Sequence, residues 1–343
     1  MPSAADHIAA AIAAAGGSIP FDRFMELALY GDDGFYVASG RAGRRADFLT
    51  SPEVGPLFGA VLARFIQAEW QRLGSPAEFT VVEVGAGPGT LARAITAQWA
   101  TASADHPTRY AAVEVAADQR ALHPADIESV AAMPTEPFVG VIVANELLDN
   151  LPFKLAVFDS GWREAYVATA NGRFVEVLHP FPEVPPTLPA SAPHGARVPV
   201  QLEAHDWVAL TRRNLTAGRV LALDYVTPRT SELAQMPWRE WLRTYRGHER
   251  GGHYLADPGS QDITAQVALD QLPVPDAVRT QAQFLQRWGI DELVEEGRQA
   301  WAAAAAAPTL AAMKMRSRVR EAEALLDPAG LGGFLALEWS TLG

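Results

Sequence analysis

Three glycines, Gly85, Gly87 and Gly89, directly follow the β-branched run Phe79-Thr-Val-Val-Glu-Val84. A turn like this, at the carboxyl end of a strand, is where open parallel sheets bind ligands. Glycine lets the backbone take positive φ and pass close to the bound group. A dinucleotide pyrophosphate calls for Gly-x-Gly-x-x-Gly or Ala at a helix N-terminus. Here the sixth position is Thr90, and a carboxylate, Glu83, precedes the turn. Glu83 would repel a pyrophosphate but suits the ammonium and sulfonium end of S-adenosylmethionine. Glu114 lies at the end of the next apolar run, 110–115, where a carboxylate accepts both ribose hydroxyl hydrogens; that position serves NAD and S-adenosylmethionine alike.

A third run, 139–144, ends in Asn145-Glu146-Leu-Leu-Asp149-Asn-Leu-Pro152. Asn145 and Glu146 therefore stand at the sheet tip, next to where a methyl donor would lie, and are candidates to hold the acceptor. Asn145 counts among the cofactor contacts as well. Asp149 lies one turn from Glu146 if the segment is helical, giving two acceptors on one side. Its alternative role is a cap before the Leu-Pro turn.

These residues need a sheet to position them. Short apolar strands at 79–84, 110–115, 126–130, 139–144, 219–225 and 333–339 alternate with helical stretches, which predicts a mostly parallel α/β sheet of Rossmann-like type. Two insertions, at about 151–200 and 226–280, interrupt a core running over 79–343. The first should contain a hairpin within 155–178 turning at Asn171-Gly172, followed by a proline-rich loop at 180–199. Residues 1–78 read as a helical region packed on that core, with a break at Gly16-Gly17 and a second helix opening at Pro20. Thr50-Ser-Pro-Glu53 has capping-box spacing. It opens an apolar stripe through Val54, Leu57, Phe58, Val61, Leu62, Phe65, Ile66 and Trp70, which predicts one helix.

Composition narrows the chemistry. The chain of 343 residues has a formal net charge of −12, which disfavours nucleic acid and anionic membranes as partners. The clusters Arg41/Arg44/Arg45 and Arg316/Arg318/Arg320 read as solvated faces. With no cysteine, disulfides, thiolate nucleophiles and Cys-based metal sites are excluded. The eight histidines form no His-x-x-x-His pair, so no metal site is expected. The alanine-rich start carries Asp6 and His7 and lacks a basic segment, unlike a signal peptide. No apolar run approaches the ~20 residues of a membrane helix. A cytoplasmic location is the expectation.

Several segments resemble the MidA-like methyltransferases, a family that includes the mitochondrial complex I assembly factor that symmetrically dimethylates an arginine of a complex subunit. The matching residues are Tyr30-Gly-Asp-Asp-Gly-Phe-Tyr36, Ala46-Asp-Phe-Leu-Thr-Ser-Pro-Glu53, Val82-Glu-Val-Gly-Ala-Gly-Pro-Gly-Thr90, Val113-Glu-Val115 and Ala144-Asn-Glu-Leu-Leu-Asp-Asn-Leu-Pro152. Later come Tyr245-Arg-Gly-His248, Asp257-Pro-Gly-Ser-Gln-Asp-Ile-Thr264 and Thr280-Gln-Ala-Gln-Phe-Leu285. The segment from Arg120 to Pro137 departs by being short, leaving Asp126-Ile-Glu-Ser-Val130 as the third strand and a share of the adenine pocket.

The resemblance implies a class I methyltransferase sheet, S-adenosylmethionine as cofactor and a protein arginine as acceptor. Carboxylates would then pair with guanidinium N–H groups, fix its plane and aim one nitrogen at the methyl. It also raises Glu53 from a capping residue to a candidate catalytic group, and it brings Asp47, His248 and Asp262 near the groove. Three other functions remain open: methylation of a small molecule, a non-catalytic assembly scaffold on the same fold, and, weakest for the spacing reason above, an NAD-dependent oxidoreductase. The oligomeric state is left open.

Overall fold

The computed structural model describes residues 2–37, 50–101, 106–107, 109–246 and 249–342. Its centre is a seven-stranded sheet. In chain order the strands are β1 (Thr80–Val84), β2 (Arg109–Val113), β3 (Glu128–Val130), β4 (Phe138–Asn145), β5 (Leu215–Asp224), β6 (Ala277–Thr280) and β7 (Leu335–Thr341). Across the sheet they lie in the order β6-β7-β5-β4-β1-β2-β3. Strands β1 to β5 pair in parallel, while β7 runs antiparallel to both β5 and β6. The chain winds outward from β1 through β2 to β3, then crosses back to place β4 on the other side of β1. That reversal opens a crevice beyond the carboxyl ends of β1 and β4.

The two-residue alternation of the strands sorts their side chains between two cores. Val81, Val141, Val143, Leu221 and Leu223 face the helices Pro56–Arg72, Thr90–Thr101, Ile290–Ala303 and Leu310–Leu326. Val82, Ile142, Ala144, Val220 and Ala222 face the other way, packing with Ala204 and Val208 of helix Leu202–Arg213. Burial on both faces explains why these strands are near-continuous apolar runs.

A third core lies largely in the insertions. Lys154–Phe158, Trp162–Ala170, Arg173–Pro180 and Arg197–Val200 form an antiparallel sheet, joined at one edge by Ser18–Pro20. The hairpin turns at Asn171-Gly172 as expected, with φ of 51° and 71°, the left-handed pair that a two-residue turn of this twist requires. Arg197–Val200 is a strand where the proline-rich segment predicted the end of a loop. Its pairing with Lys154–Phe158 is a long-range contact that local composition does not carry. Helix Phe21–Tyr30 packs here, with Phe21 against Phe153 and Tyr254. The first 78 residues are thus divided: Ala4–Ala14 and Phe21–Tyr30 join the inserted sheet, whereas Pro56–Arg72 joins the central one.

The helix expected from Thr50 through Trp70 is broken. It runs Ser51–Val54, stops at Gly55 and restarts over Pro56–Arg72. Pro56 has no N–H and disfavours helical φ/ψ at the residue before it. The new N-terminus is capped by the buried Glu321 carboxylate, which accepts the Leu57 N–H at 2.9 Å. A Cβ at residue 55 would meet that carboxylate, so a side chain there would displace the Glu321 cap.

Candidate active site

The glycine turn hangs from β2: the N–H groups of Gly85 and Ala86 both donate to the Val113 carbonyl, at 3.0 and 3.1 Å. Gly85, Gly87 and Gly89 all have positive φ, at 71°, 52° and 77°. The last two differ in surroundings. A Cβ on Gly87 would point into open space, whereas one on Gly89 would press on His123 Cδ2 at 3.1 Å and Pro124 at 3.2 Å. The turn therefore has a packed side and an open side, and Gly87 faces the open one.

Glu114 follows β2 and is buried. Its Oε2 accepts the Gly87 N–H at 2.9 Å and its Oε1 the Ala116 N–H at 2.9 Å. A carboxylate has about four lone-pair sites, so both oxygens keep capacity for ribose hydroxyls. Val115, next in sequence, is 49% exposed and offers an apolar surface for a purine ring. His123, which no sequence motif marks, bridges the turn to β3. Its Nε2 is 2.8 Å from the Gly87 carbonyl and its Nδ1 2.8 Å from Ser129 Oγ. Because a carbonyl can only accept, Nε2 carries the hydrogen.

Glu83 is buried within β1 and accepts the Tyr110 hydroxyl at 2.7 Å. Burial, and then the neighbouring Glu83 charge, push the Tyr110 hydroxyl well above its usual pKa, so it stays a donor. The pair anchors β1 to β2 directly beneath the turn.

At the tip of β4, Asn145 and Glu146 are both buried, and Asn145 Nδ2 donates to Glu146 Oε1 at 3.1 Å. Glu146 adopts φ of 51°, a left-handed conformation that side chains avoid unless the surroundings impose it. Its N–H is tied to the Leu223 carbonyl of β5 at 2.8 Å. Asn145 Oδ1 is buried and has no hydrogen-bond partner among the described residues. A buried acceptor in that state points to a ligand N–H or O–H.

Asp149 sits in a single 3₁₀ turn, Leu148–Asn150. The cap of this turn is not Asp149 but Asp224, the fully buried last residue of β5. Asp224 Oδ2 accepts the N–H groups of Leu148 at 2.9 Å and Asp149 at 3.4 Å. Freed from capping, Asp149 turns its Oδ2 to the Thr264 hydroxyl at 2.5 Å. Asn150 Nδ2 donates to Asp262 at 3.1 Å, and Asp262 also accepts the Tyr36 hydroxyl at 2.9 Å. The Tyr30 hydroxyl reaches the Asn150 carbonyl at 3.2 Å, and its ring stacks on Tyr36. The aromatic turn after helix Phe21–Tyr30 therefore closes one wall of the site.

The structure thus gathers Asn145, Glu146 and Asp149 with Asp224, Asp262 and Thr264, and gathers Gly87 with Glu114. Glu53, by contrast, is exposed and serves as the capping residue that its spacing predicts, accepting the Thr50 N–H at 3.4 Å. Asp47 and His248 lie outside the described residues. Asp224 and Tyr225 were not anticipated; their signal was an acid at the very end of a predicted buried strand. Burial, and then the Asp149 charge, hold the Asp224 carboxyl well above the usual range. Tyr225 is likewise raised by burial first and then by Glu146. Among the described residues, no cluster of His, Asp or Glu is arranged to hold a metal ion.

These features fit S-adenosylmethionine: open space at Gly87, a two-oxygen carboxylate at Glu114 beside exposed Val115, and a waiting acceptor at Asn145 Oδ1. Comparison with known proteins agrees. A Burkholderia thailandensis protein, solved in complex with S-adenosyl-homocysteine, superposes with a TM-score of 0.83 at 29% identity, covering 98% of this chain and 91% of that one. The mitochondrial protein arginine methyltransferase NDUFAF7 homolog of Drosophila melanogaster is 28% identical over 73% of this chain, an alignment spanning 65% of the fly protein's length. The NDUFAF7 of Danio rerio is 25% identical over 84% of this chain and 77% of its own. Residues 61–287 match the model of a family described as "Putative S-adenosyl-L-methionine-dependent methyltransferase". With that match over residues 61–287 and the sheet and glycine turn described above, the chain belongs to that S-adenosylmethionine-dependent methyltransferase family.

Proposed function

We propose that this methyltransferase acts on an arginine side chain of a protein substrate. The observation that carries the reading is the convergence of Glu146, Asp149 and Asp224 at the adjoining tips of β4 and β5, beside the turn at Gly87. A guanidinium is planar, cationic and rich in N–H donors, and it is a poor nucleophile until it is held and polarised. Glu146, kept in a strained backbone conformation, and Asp149, oriented by Thr264, are acceptors preset for such a group.

The cofactor, when bound, supplies an electrophilic methyl on a sulfonium. Attack by one guanidino nitrogen is an in-line displacement, so alignment contributes most of the acceleration. Glu146 and Asp149 would fix the guanidinium plane, and Asn145 Oδ1 would accept a donor from the cofactor tail or the acceptor. The methylated nitrogen gains positive charge and must lose a proton, which a carboxylate of this cluster can take directly or through water. The names of the fly and zebrafish relatives support arginine as the acceptor. A respiratory-complex subunit is the substrate that the family resemblance suggests.

The test is transfer of tritiated methyl from S-adenosylmethionine into protein extract, followed by acid hydrolysis and chromatography of the labelled amino acids. Label in methylarginine is expected. Label confined to small molecules, or to another residue type, would overturn the arginine reading while leaving the methyltransferase assignment intact.

A further inference from the structure

Beside the carboxylate cluster lies an open cleft of about 760 Å³, lined in part by Tyr225, Gln266, Phe334, Leu331 and Arg243. Its inner wall is continuous with the site, because Tyr225 directly follows Asp224 and its ring packs on Phe334 at 3.8 Å between centroids. Arg243 belongs to the strand Leu242–Arg246, which pairs antiparallel with Asp262–Ala265. In that register Arg243 is opposite Thr264, and Tyr245 is opposite Asp262. Opposite residues share a face, with Cα atoms about 5 Å apart. Arg243 thus lies one cross-strand step from the threonine that holds Asp149.

Arg243 is half-buried, and its Nε donates to the Glu240 carbonyl at 2.8 Å, which fixes the guanidinium and leaves its two terminal nitrogens available. It makes no ion pair among the described residues. Among the described residues the cleft lining contains one acid, Asp327, whose Oδ1 accepts the Ala329 N–H at 3.0 Å. On its other side Arg243 lines a smaller hollow of about 140 Å³ with Arg239 and Arg250. In a chain of net charge −12 this is a local concentration of positive charge next to a negative pocket.

We propose that this cleft takes the substrate polypeptide alongside its target arginine and that Arg243 binds an aspartate or glutamate of that same segment. This rests on the protein-arginine reading above. The site is then bipolar: carboxylates take the target guanidinium and a guanidinium takes a nearby carboxylate. In extended chain at about 3.3 Å per residue, the two anchors would be roughly two to four residues apart.

The probe is a set of glycine–alanine peptides with one arginine and one glutamate, the glutamate moved along both sides of the arginine, each matched by a glutamine control. The wild-type enzyme should favour the best glutamate peptide over its control by about tenfold in kcat/KM, the scale of one charge-assisted hydrogen bond. Arg243→Ala should erase that ratio by slowing the glutamate peptide, with S-adenosylhomocysteine affinity and melting temperature unchanged. Arg243→Glu should turn the preference toward a lysine peptide. Equal use of glutamate and glutamine peptides by wild type, or a preference surviving Arg243→Ala, would overturn the proposal alone. If S-adenosylhomocysteine binds yet no peptide or protein arginine is labelled, the arginine reading fails and this inference with it.

Discussion

Gly87 and Glu114, separated by a strand and a helix in sequence, are joined by a 2.9 Å hydrogen bond from the backbone N–H of one to the carboxylate of the other. The residue expected to hold the ribose therefore also holds the turn expected to cradle the rest of the cofactor. Glu114→Ala should weaken S-adenosylhomocysteine binding on the order of 100-fold, since it would remove the two charge-assisted hydrogen bonds expected to the ribose and removes the acceptor of two backbone N–H groups. It should also cost about 1–2 kcal/mol of stability. Calorimetric titration and thermal melting measure the two effects; unchanged affinity would contradict the placement of the ribose.

Gly87 and Gly89 make a contrasting pair. Gly87→Val adds its side chain to open space, so beyond the cost of positive φ, roughly 1–2 kcal/mol, the fold should survive. Cofactor binding should nevertheless be abolished, because the ligand needs that space. Gly89→Ala meets His123 at 3.1 Å and should lose stability as well as binding. Melting temperatures beside titrations distinguish the two. A Gly87→Val protein that binds normally would remove the cofactor from this turn.

Asp224 gives the fold a titration of known sign. Its carboxyl is raised by burial and by Asp149, so the folded protein holds that proton more tightly than the unfolded chain, where the value is about 3.9. The associated stability is fully present below the unfolded value and is lost as pH rises through the folded one. Asp224→Asn has no such titration. The stability of wild type relative to this variant should therefore fall as pH rises from about 4. Urea midpoints of both proteins across pH measure it; a flat or rising difference would contradict the assignment.

The glycine spacing, Glu114 and the Asn145-Glu146 tip were legible because each follows an apolar strand directly, and strand ends in a doubly wound sheet share one edge. The hairpin was legible from Asn171-Gly172 for an equally local reason. What was not legible depends on distance in sequence. Asp224 takes the cap that Asp149 was a candidate to fill, a relation across 75 residues. Thr264 orients Asp149 across 115 residues. The break at Gly55 was hidden because the apolar stripe continues past it in register, while Glu321, which caps the restarted helix, lies 264 residues from Leu57. The strand Arg197–Val200 was hidden because prolines mask a pairing made only by the folded insertion.

The central claim is that the carboxylate at the tip of β4 handles the acceptor while the cofactor is held by other groups, and Glu146→Gln tests it most directly. The substitution keeps size and much of the hydrogen bonding with Asn145 but removes the charge that would hold a guanidinium. Titration with S-adenosylhomocysteine should give an affinity close to wild type. Tritiated methyl transfer into protein should fall ~100-fold or more, as expected when a transition state is deprived of one charge-assisted hydrogen bond. A parallel fall in binding and transfer would make Glu146 a cofactor ligand instead, and undiminished transfer would contradict the account.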